Sequence, residues 1–391
     1  PTVQFRKQFY RPDVIRQLLQ TGSVERALQA VGDRQEKTDV AQNLPPLVKI
    51  EAPGDSPLTT SESALEVVVS AQQVGSHPVT SLQLLVNSRP LGGPGGVVKL
   101  ENGPATARHT FTVPLLTGAS YAIQARADSA VSYGLSPPLQ VTMESQAADE
   151  LLPSLYVLAI GISAYDDDRL RLNFAHSDAE RLAAAFAEHG RGVYRKVETR
   201  VILDKQATQR GILGGLGWLK QQMTQHDVGI VYYSGHGDRD EETTFYLLPS
   251  DVDQDQPLLA SGVPETQLRG ILQALPGRLL VMLDCCHAGT FGGDRRKGTR
   301  SITDDLVRDL ATDDYGIVTM ASSLGRQVSL ESSAQRSGMF TQALIEALQG
   351  KADYNGDGIV YFYELDTYVS ERVKELSNGR QTPVTAKPAT V

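Results

Sequence analysis

The chain has 391 residues, of which 40% are hydrophobic and 21% charged, and its formal net charge is −9. This length predicts two or three folded units, and the lack of a long polar low-complexity block excludes a chain that is disordered throughout. The acidic pI, near 5.4, argues against nucleic acid as a partner, because phosphate binding needs clustered Lys and Arg.

The sequence also indicates where the protein works. No apolar run approaches the roughly 20 residues that a transmembrane helix needs, so we expect a soluble protein without a membrane partner. The two cysteines, Cys285 and Cys286, are adjacent and are not expected to form a disulfide. With no signal peptide, this predicts a cytoplasmic location. The chain starts Pro-Thr without Met, which suggests a fragment or a processed chain.

The N-terminal part has two apolar patterns. In residues 1–46 the spacing is helical and predicts a helical segment. From Leu47 to Met143 the apolar period is two, as at Leu65, Val67 and Val69, and clusters of Gly, Pro, Ser and Asn separate the runs. We therefore predict an all-β immunoglobulin-like sandwich over residues 47–145, without a catalytic constellation.

From residue 151 to residue 391 apolar strand-like runs alternate with amphipathic helices, which is typical of an α/β domain. The predicted strands are Leu155–Ile162, Thr199–Leu203, Val228–Tyr233, Thr244–Leu248, Leu279–Leu283 and Gly316–Ala321. The predicted helices are Asp178–His189, Gln209–Met223, Thr266–Leu275 and Gly338–Gln349. We expect a mostly parallel sheet flanked by helices, with the chemistry at the carboxyl ends of its strands.

Two of the predicted strands lead directly into chemically active side chains. Val228–Tyr233 is followed by Ser-Gly-His236-Gly, and Leu279–Leu283 is followed by Asp-Cys-Cys286-His-Ala-Gly. A thiol beside an imidazole can act as a nucleophile, with the imidazole as its base and as the acid for the leaving amine. His236 precedes Cys286 by 50 residues, close to the His-to-Cys spacing of roughly 50 residues in caspases.

YYSGHG and DCCHAG resemble the two hallmark motifs of caspase-like cysteine peptidases of clan CD, nearest to metacaspases and their prokaryotic homologues. The resemblance covers about residues 155–383 and implies a caspase-like (caspase-hemoglobinase) α/β fold. It implies that Cys286 is the nucleophile and His236 the base of an endopeptidase. Cys285 is the lesser candidate, and His287 is expected to support the loop. The caspase pentapeptide Gln-Ala-Cys-x-Gly is absent.

The same resemblance implies the groups around the reacting carbonyl. The backbone amides of Gly237 and Cys286 are the expected oxyanion donors. Asp178, Ser234 and Asp284 are expected to line a pocket for a basic side chain, which predicts protein or peptide substrates cleaved after Arg or Lys. Asp178 has a second interpretation, as an acidic residue favoured at a helix N-terminus, and both can hold together.

A Gly- and Arg-rich segment without apolar periodicity follows Cys286, at residues 290–300. Peptidases of this family are commonly processed in this region. A preference for basic residues would make Arg295, Arg296, Lys297 and Arg300 self-cleavage sites.

The Cys–His chemistry needs no cofactor, but one segment predicts calcium as an activator or structural ion. Asp353, Asn355, Asp357 and Glu364 occupy positions one, three, five and twelve of an EF-hand-like loop, with Gly358 at position six. Against this, residues 359–363 resemble a short strand, whereas an EF-hand has a helix on each side. The acidic residues Asp238, Asp240, Glu241 and Glu242 are a second candidate, or a solvated loop.

Two other functions fit the same sequence. A catalytically silent caspase-fold module could serve assembly or signalling, with an accessory partner on the sandwich. Another clan CD peptidase, legumain- or gingipain-like, would share the His-Gly and Cys motifs. A further interpretation makes the cysteines and His236 structural core residues.

Overall fold

The computed structural model describes residues 12–31, 42–54, 56–101, 103–116, 119–144, 152–240, 244–253, 255–287, 316–323, 331–332 and 336–388. The chain forms two compact units. The first comprises Pro1–Val86 with Pro90–Glu144, and the second comprises Asn87–Arg89 with Ser145–Val391. The three-part division drawn from the sequence, with boundaries at 1–46, 47–145 and 151–391, stays a prediction.

Among the described residues, two short helices and ten strands belong to the first unit, with Arg89 of one strand assigned to the second unit. The helices are α1 (Pro12–Thr21) and α2 (Val24–Ala30), and the Ser23 side chain caps α2. The strands are β1 (Leu47–Ala52), β2 (Leu58–Thr60), β3 (Ala64–Gln72), β4 (Ser81–Val86), β5 (Arg89–Pro90), β6 (Val98–Lys99), β7 (Thr106–Pro114), β8 (Ser120–Asp128), β9 (Tyr133–Leu135) and β10 (Leu139–Met143).

These strands make two sheets that share one apolar core. One sheet has the order β1-β3-β7, and the other has the order β2-β10-β8-β4-β5, with β6 beside β4 and β9 beside β8. Val67 and Val69 of β3 and Leu82, Leu84 and Ile123 of the second sheet belong to the same buried cluster. Because alternate strand residues point to opposite faces, the period-two pattern of the sequence becomes the inner faces of a two-layer β structure.

The second unit is an α/β layer structure. Its strands are β11 (Leu155–Gly161), β12 (Val197–Leu203), β13 (Val228–Arg239), β14 (Phe245–Leu247), β15 (Val263–Pro264), β16 (Arg278–His287), β17 (Ile317–Ala321), β18 (Glu331–Ser332), β19 (Ser337–Gly338) and β20 (Val384–Ala386). Its helices are α3 (Ala175–His189), α4 (Gln209–Gln222), α5 (Leu258–Ser261), α6 (Glu265–Gln273), α7 (Met339–Glu346) and α8 (Phe362–Leu376).

The main sheet of this unit has the order β12-β11-β13-β16-β17-β20. The first five strands run parallel, β20 is antiparallel at one edge, and β14 and β15 extend the sheet beyond β13. Helices α3, α7 and α8 pack with Tyr232 and Met282 on one face, and α4 and α6 pack with Tyr233 and Leu283 on the other. Burial on both faces explains why the central strands are continuous apolar runs in the sequence.

The two central strands continue beyond their apolar runs. β13 extends past Tyr233 to Arg239, and β16 extends past Leu283 to His287. The reason is pairing: β13 and β16 stay in register through Gly237 and His287, and β14 pairs with the far end of β13. The two motifs expected just after strands therefore lie within paired strands.

Helices α7 and α8 are joined by a buried carboxylate. Glu346, with a side chain only 6% exposed, accepts hydrogen bonds from Gln342, Lys351, Tyr368 and Arg372 at 2.9–3.1 Å. Burial alone would raise its pKa, but these hydrogen bonds lower the pKa of Glu346 to about 2. In the described part of the chain, no helix is long and apolar enough to span a bilayer.

Candidate active site

His236 and Cys286 meet across the two central strands. In the parallel pairing of β13 with β16, His236 is in register with Cys286, and Ser234 with Asp284. Neighbouring strands lie about 4.8 Å apart, and in-register residues of parallel strands share a face. For Cys286, the register describes the position of its backbone. The register thus brings the two predicted catalytic positions side by side.

The other cysteine belongs to the core. Cys285 is 4% exposed and lies in the apolar cluster that contains Tyr233 and Leu283. It is one residue out of phase with Cys286, so it occupies the opposite face of the strand. This environment is typical of a structural cysteine and disfavours Cys285 as a nucleophile.

The imidazole of His236 is oriented by a backbone carbonyl. Its Nε2 atom lies 2.9 Å from the carbonyl oxygen of Leu170, a hydrogen-bond distance at which Nε2–H donates. A neutral imidazole that donates from Nε2 has its basic lone pair on Nδ1. Nδ1 is therefore the nitrogen available for accepting a proton in this arrangement.

Two buried tyrosines hold the backbone of His236. Its N–H donates to the Tyr165 hydroxyl at 2.8 Å, and its carbonyl oxygen accepts from the Tyr233 hydroxyl at 2.7 Å and from the Leu248 N–H at 3.0 Å. Burial raises the pKa of both tyrosines, so the hydroxyls stay protonated. A Cβ at residue 235 would come within 2.8 Å of both hydroxyl oxygens, which explains Gly235 between them.

The sequence analysis missed this tyrosine pair. Tyr233 lies inside the YYSGHG motif, where it reads as one more apolar strand residue. Tyr165 lies beyond the end of β11, 71 residues before His236. Only the strand order β11-β13 brings it to the histidine.

The predicted pocket residues also converge. Asp178 and Asp284 are 2% and 7% exposed, and a Cβ on Gly338 would lie 2.9 Å from an oxygen of Asp284 and 3.1 Å from one of Asp178. Ser234, which is also buried, is in register with Asp284. Two buried carboxylates therefore meet around one glycine, and Ser234 lies on the strand beside one of them.

Hydrogen bonds fix the two carboxylates. Asp178 accepts from the Ser337 hydroxyl at 2.6 Å and from the Gly338 N–H at 2.8 Å, and Asp284 accepts from the Thr341 hydroxyl at 3.1 Å. Burial raises the pKa of Asp178 to about 7 in spite of the hydrogen bonds, and the charge of Asp284 contributes to the increase. A cation entering between these carboxylates would favour their ionised forms.

Residues 155–390, more than half of the chain, match the family described as caspase domain. The chain belongs to this family. Metacaspase-3 of Trypanosoma cruzi (strain CL Brener) is 32% identical to it over 91 residues, which are 22% of this chain and 25% of the relative. The chain thus spans about a quarter of that relative's length. A crystal structure of a Geobacter sulfurreducens protein shares 20% identity, with a TM-score of 0.45, and covers 61% of this chain and 94% of that one.

Some predicted sites of the caspase domain are untested. The segment 290–300, with Arg295, Arg296, Lys297 and Arg300, lies outside the described residues. Gly237 follows His236 in β13, where a Cβ would come within 2.5 Å of the Phe245 ring. The oxyanion role of the Gly237 and Cys286 amides stays a prediction.

The EF-hand-like loop has a helix on each side. The chain of α7 continues as a π-helical turn to Lys351, and α8 begins at Phe362. The short strand expected over residues 359–363 is therefore wrong. The physical reason is a cap: the Glu364 side chain accepts the N–H of Tyr361 at 2.9 Å and starts the helix there.

The oxygens of this loop hold its own backbone. Asp353 accepts the N–H groups of Gly356 and Gly358 at 2.8 and 2.9 Å, and Glu364 also accepts the N–H of Tyr354 at 3.2 Å. Among the described residues, no three His, Cys, Asp or Glu side chains converge as a metal site. Calcium binding through Asp353, Asn355, Asp357 and Glu364 stays a prediction.

The second acidic candidate is partly described. Asp240 accepts hydrogen bonds from the Thr244 N–H and the Tyr246 hydroxyl, and Asp238 accepts from the Arg239 N–H. Glu241 and Glu242 lie outside the described residues. These contacts join residues that are close in the sequence.

Proposed function

We propose that this chain is a cysteine endopeptidase that uses Cys286 and His236. The observation that carries the proposal is the register of β13 with β16, which pairs His236 with Cys286. Membership of the caspase-domain family supports it. The core position of Cys285 supports the choice of Cys286.

The proposed reaction has two steps, formation of a thioester and its hydrolysis. His236 takes the proton of the Cys286 thiol, and the thiolate attacks the scissile carbonyl carbon. The C–N bond breaks as the imidazolium gives its proton to the leaving amine, which leaves a thioester. His236 then takes a proton from water, hydroxide attacks the thioester, and the Cys286 sulfur leaves with a proton from the imidazolium. The hydrogen bond from Nε2 to Leu170 keeps Nδ1 as the nitrogen that carries this proton.

The preference for Arg or Lys before the cleaved bond belongs to the same proposal. Asp178 and Asp284 supply carboxylate oxygens around Gly338, and the buried Ser234 is in register with Asp284. A guanidinium can bind such oxygens with parallel charge-assisted hydrogen bonds, whereas an acidic side chain would meet like charge. Protein or peptide substrates with a basic residue follow from this chemistry, as does self-cleavage at Arg295, Arg296, Lys297 or Arg300.

We also propose that the first unit is immunoglobulin-like. Its division into β1-β3-β7 and β2-β10-β8-β4-β5 resembles the division of immunoglobulin strands between two sheets. The Tyr121 hydroxyl, at the start of β8, accepts the N–H of Leu116 at 2.7 Å, as in a tyrosine corner. A partner-binding role for this unit and a cytoplasmic location remain part of the proposal.

Fluorogenic and protein substrates test the peptidase. Wild type, Cys286→Ala and Cys285→Ala would be incubated under reducing conditions with peptides ending in Arg, Lys or Asp, with and without calcium. We expect cleavage after Arg or Lys by wild type and by Cys285→Ala, and none by Cys286→Ala. Cleavage after Asp would overturn the pocket assignment. A wild type that stays inactive even after limited proteolysis would favour a silent assembly module.

A further inference from the structure

A cavity beside the basic pocket has the opposite charge. It is open to solvent on one side and has a volume of about 330 Å³. It is lined by Asn173, Phe174, His176, Ser177, Arg181 and Arg336. None of these lining residues, all within the described part of the chain, is acidic. Two arginines and one histidine therefore line a space large enough to admit a side chain of the substrate.

The imidazole of His176 is held by Ser163. The Ser163 hydroxyl oxygen accepts the backbone N–H of His176 at 3.1 Å and lies 2.9 Å from its Nδ1. When this hydroxyl donates its own hydrogen to Nδ1, the neutral ring carries its hydrogen on Nε2 and presents a donor there.

The guanidinium of Arg181 is held at the border between the cavity and the basic pocket. Its Nη2 donates to the Gln342 side-chain oxygen at 3.1 Å, and its Nη1 lies 3.8 Å from an oxygen of Asp178. Arg336 directly precedes Ser337, whose hydroxyl binds Asp178. Through Arg181 and Arg336 the cavity therefore borders the residues that hold Asp178 in the basic pocket.

We propose that this cavity is a specificity subsite for an acidic side chain of the substrate, close to the basic residue at the cleaved bond. Two guanidinium groups can bind a carboxylate by charge-assisted hydrogen bonds, and none of the described lining residues is acidic. The inference rests on the proposed peptidase function, and it adds a second charge requirement of opposite sign to the substrate.

Internally quenched peptides test the subsite. Each carries Arg at the cleaved position and either Glu or Gln at one of three positions on either side. The enzymes are wild type, Arg336→Gln, Arg181→Gln and a control, Arg210→Gln, whose exposed arginine lies on α4 at the other face of the sheet. At one of the tested substrate positions, we expect the kcat/KM of the Glu peptide to exceed that of the Gln peptide about 5- to 10-fold. This is the effect of a charged hydrogen bond that is partly screened by solvent. This ratio should fall to about 2 or less in Arg336→Gln and Arg181→Gln, since one of two cations is lost, and stay unchanged in Arg210→Gln.

Peptide binding to Cys286→Ala separates this inference from the peptidase proposal. Wild type that cleaves no peptide would overturn the peptidase proposal. The subsite would still stand if Cys286→Ala bound Glu peptides more tightly than Gln peptides and if adding Arg336→Gln to this variant removed the difference. Cleavage with equal rates for Glu and Gln overturns the subsite alone. So does a Glu preference that survives both arginine substitutions, or binding of inorganic phosphate in the absence of any Glu preference.

Discussion

Replacement of Asp178 by Asn tests whether burial beside Asp284 raises the pKa of Asp178. Burial and the charge of Asp284 raise the pKa of Asp178 from 3.8 to about 7. A carboxyl whose pKa is higher in the folded than in the unfolded state stabilises the fold below the unfolded value, and this stability is lost as the pH rises through the folded value. In Asp178→Asn the amide stays neutral at every pH, so this loss disappears.

The magnitude follows from proton linkage. Between pH 5 and pH 8 the unfolded chain gains more from ionising this carboxyl than the folded chain does, and the difference is roughly 2 to 3 kcal/mol at about 1.4 kcal/mol per pKa unit. Wild type should thus lose roughly 2 to 3 kcal/mol of unfolding free energy relative to Asp178→Asn over this interval. Titrating groups that do not interact with Asp178 cancel, because they behave alike in both proteins. Asp284 does not cancel, because it loses a neighbouring negative charge in Asp178→Asn.

Tryptophan fluorescence during urea unfolding can measure this difference. The chain has a single tryptophan, Trp218 on α4, which packs beside Tyr156 with ring centroids 6.1 Å apart. Its emission therefore reports on the caspase domain alone. Both proteins should carry Cys286→Ala to prevent self-cleavage, and Asp168→Asn at an exposed carboxyl serves as the control. An equal stability difference between wild type and Asp178→Asn at pH 5 and pH 8 would refute the raised pKa.

Three further predictions follow from the geometry. Tyr165→Phe removes the acceptor for the His236 N–H and should lower kcat about 10-fold, with KM changed less than about 2-fold. The part of the pH–rate profile that reports the ionisation of His236 should shift. A change in KM alone would contradict a positioning role for Tyr165. Glu346→Gln should lower the free energy of unfolding by about 3 kcal/mol at pH 7, because the pKa of Glu346 is lowered from 4.5 to about 2 in the folded protein. A lowered pKa stabilises the fold above pH 4.5, and this stability is lost as the pH falls to 2. Urea unfolding that shows the same loss at pH 3 would contradict this prediction. Calcium should raise the melting temperature of wild type and not that of Asp353→Asn or Glu364→Gln, and an equal rise in all three proteins would rule out the loop as the site.

Sequence patterns alone predict the main elements and the chemistry they carry. Apolar runs and helical spacing are local properties, so most of the predicted strands and helices of the α/β part lie within a few residues of their observed bounds. Strand β13 extends six residues beyond its predicted end, and the short strands β15, β18, β19 and β20 and the short helix α5 were not predicted. The prediction failed at residues 359–363, where aromatic and β-branched residues suggested a strand. There a single side-chain hydrogen bond, from the Tyr361 N–H to Glu364, starts a helix instead.

How these groups meet depends on the tertiary structure. The pairing of His236 with Cys286, the Leu170 carbonyl at Nε2 and the Tyr165 hydroxyl at the His236 N–H all join residues at least 50 positions apart. Spacing along a chain does not define which strands become neighbours or in what register, because pairing is set by the burial of whole faces. The raised pKa of Asp178 has the same origin, since burial and a second carboxylate exist only once the sheet and its helices have packed.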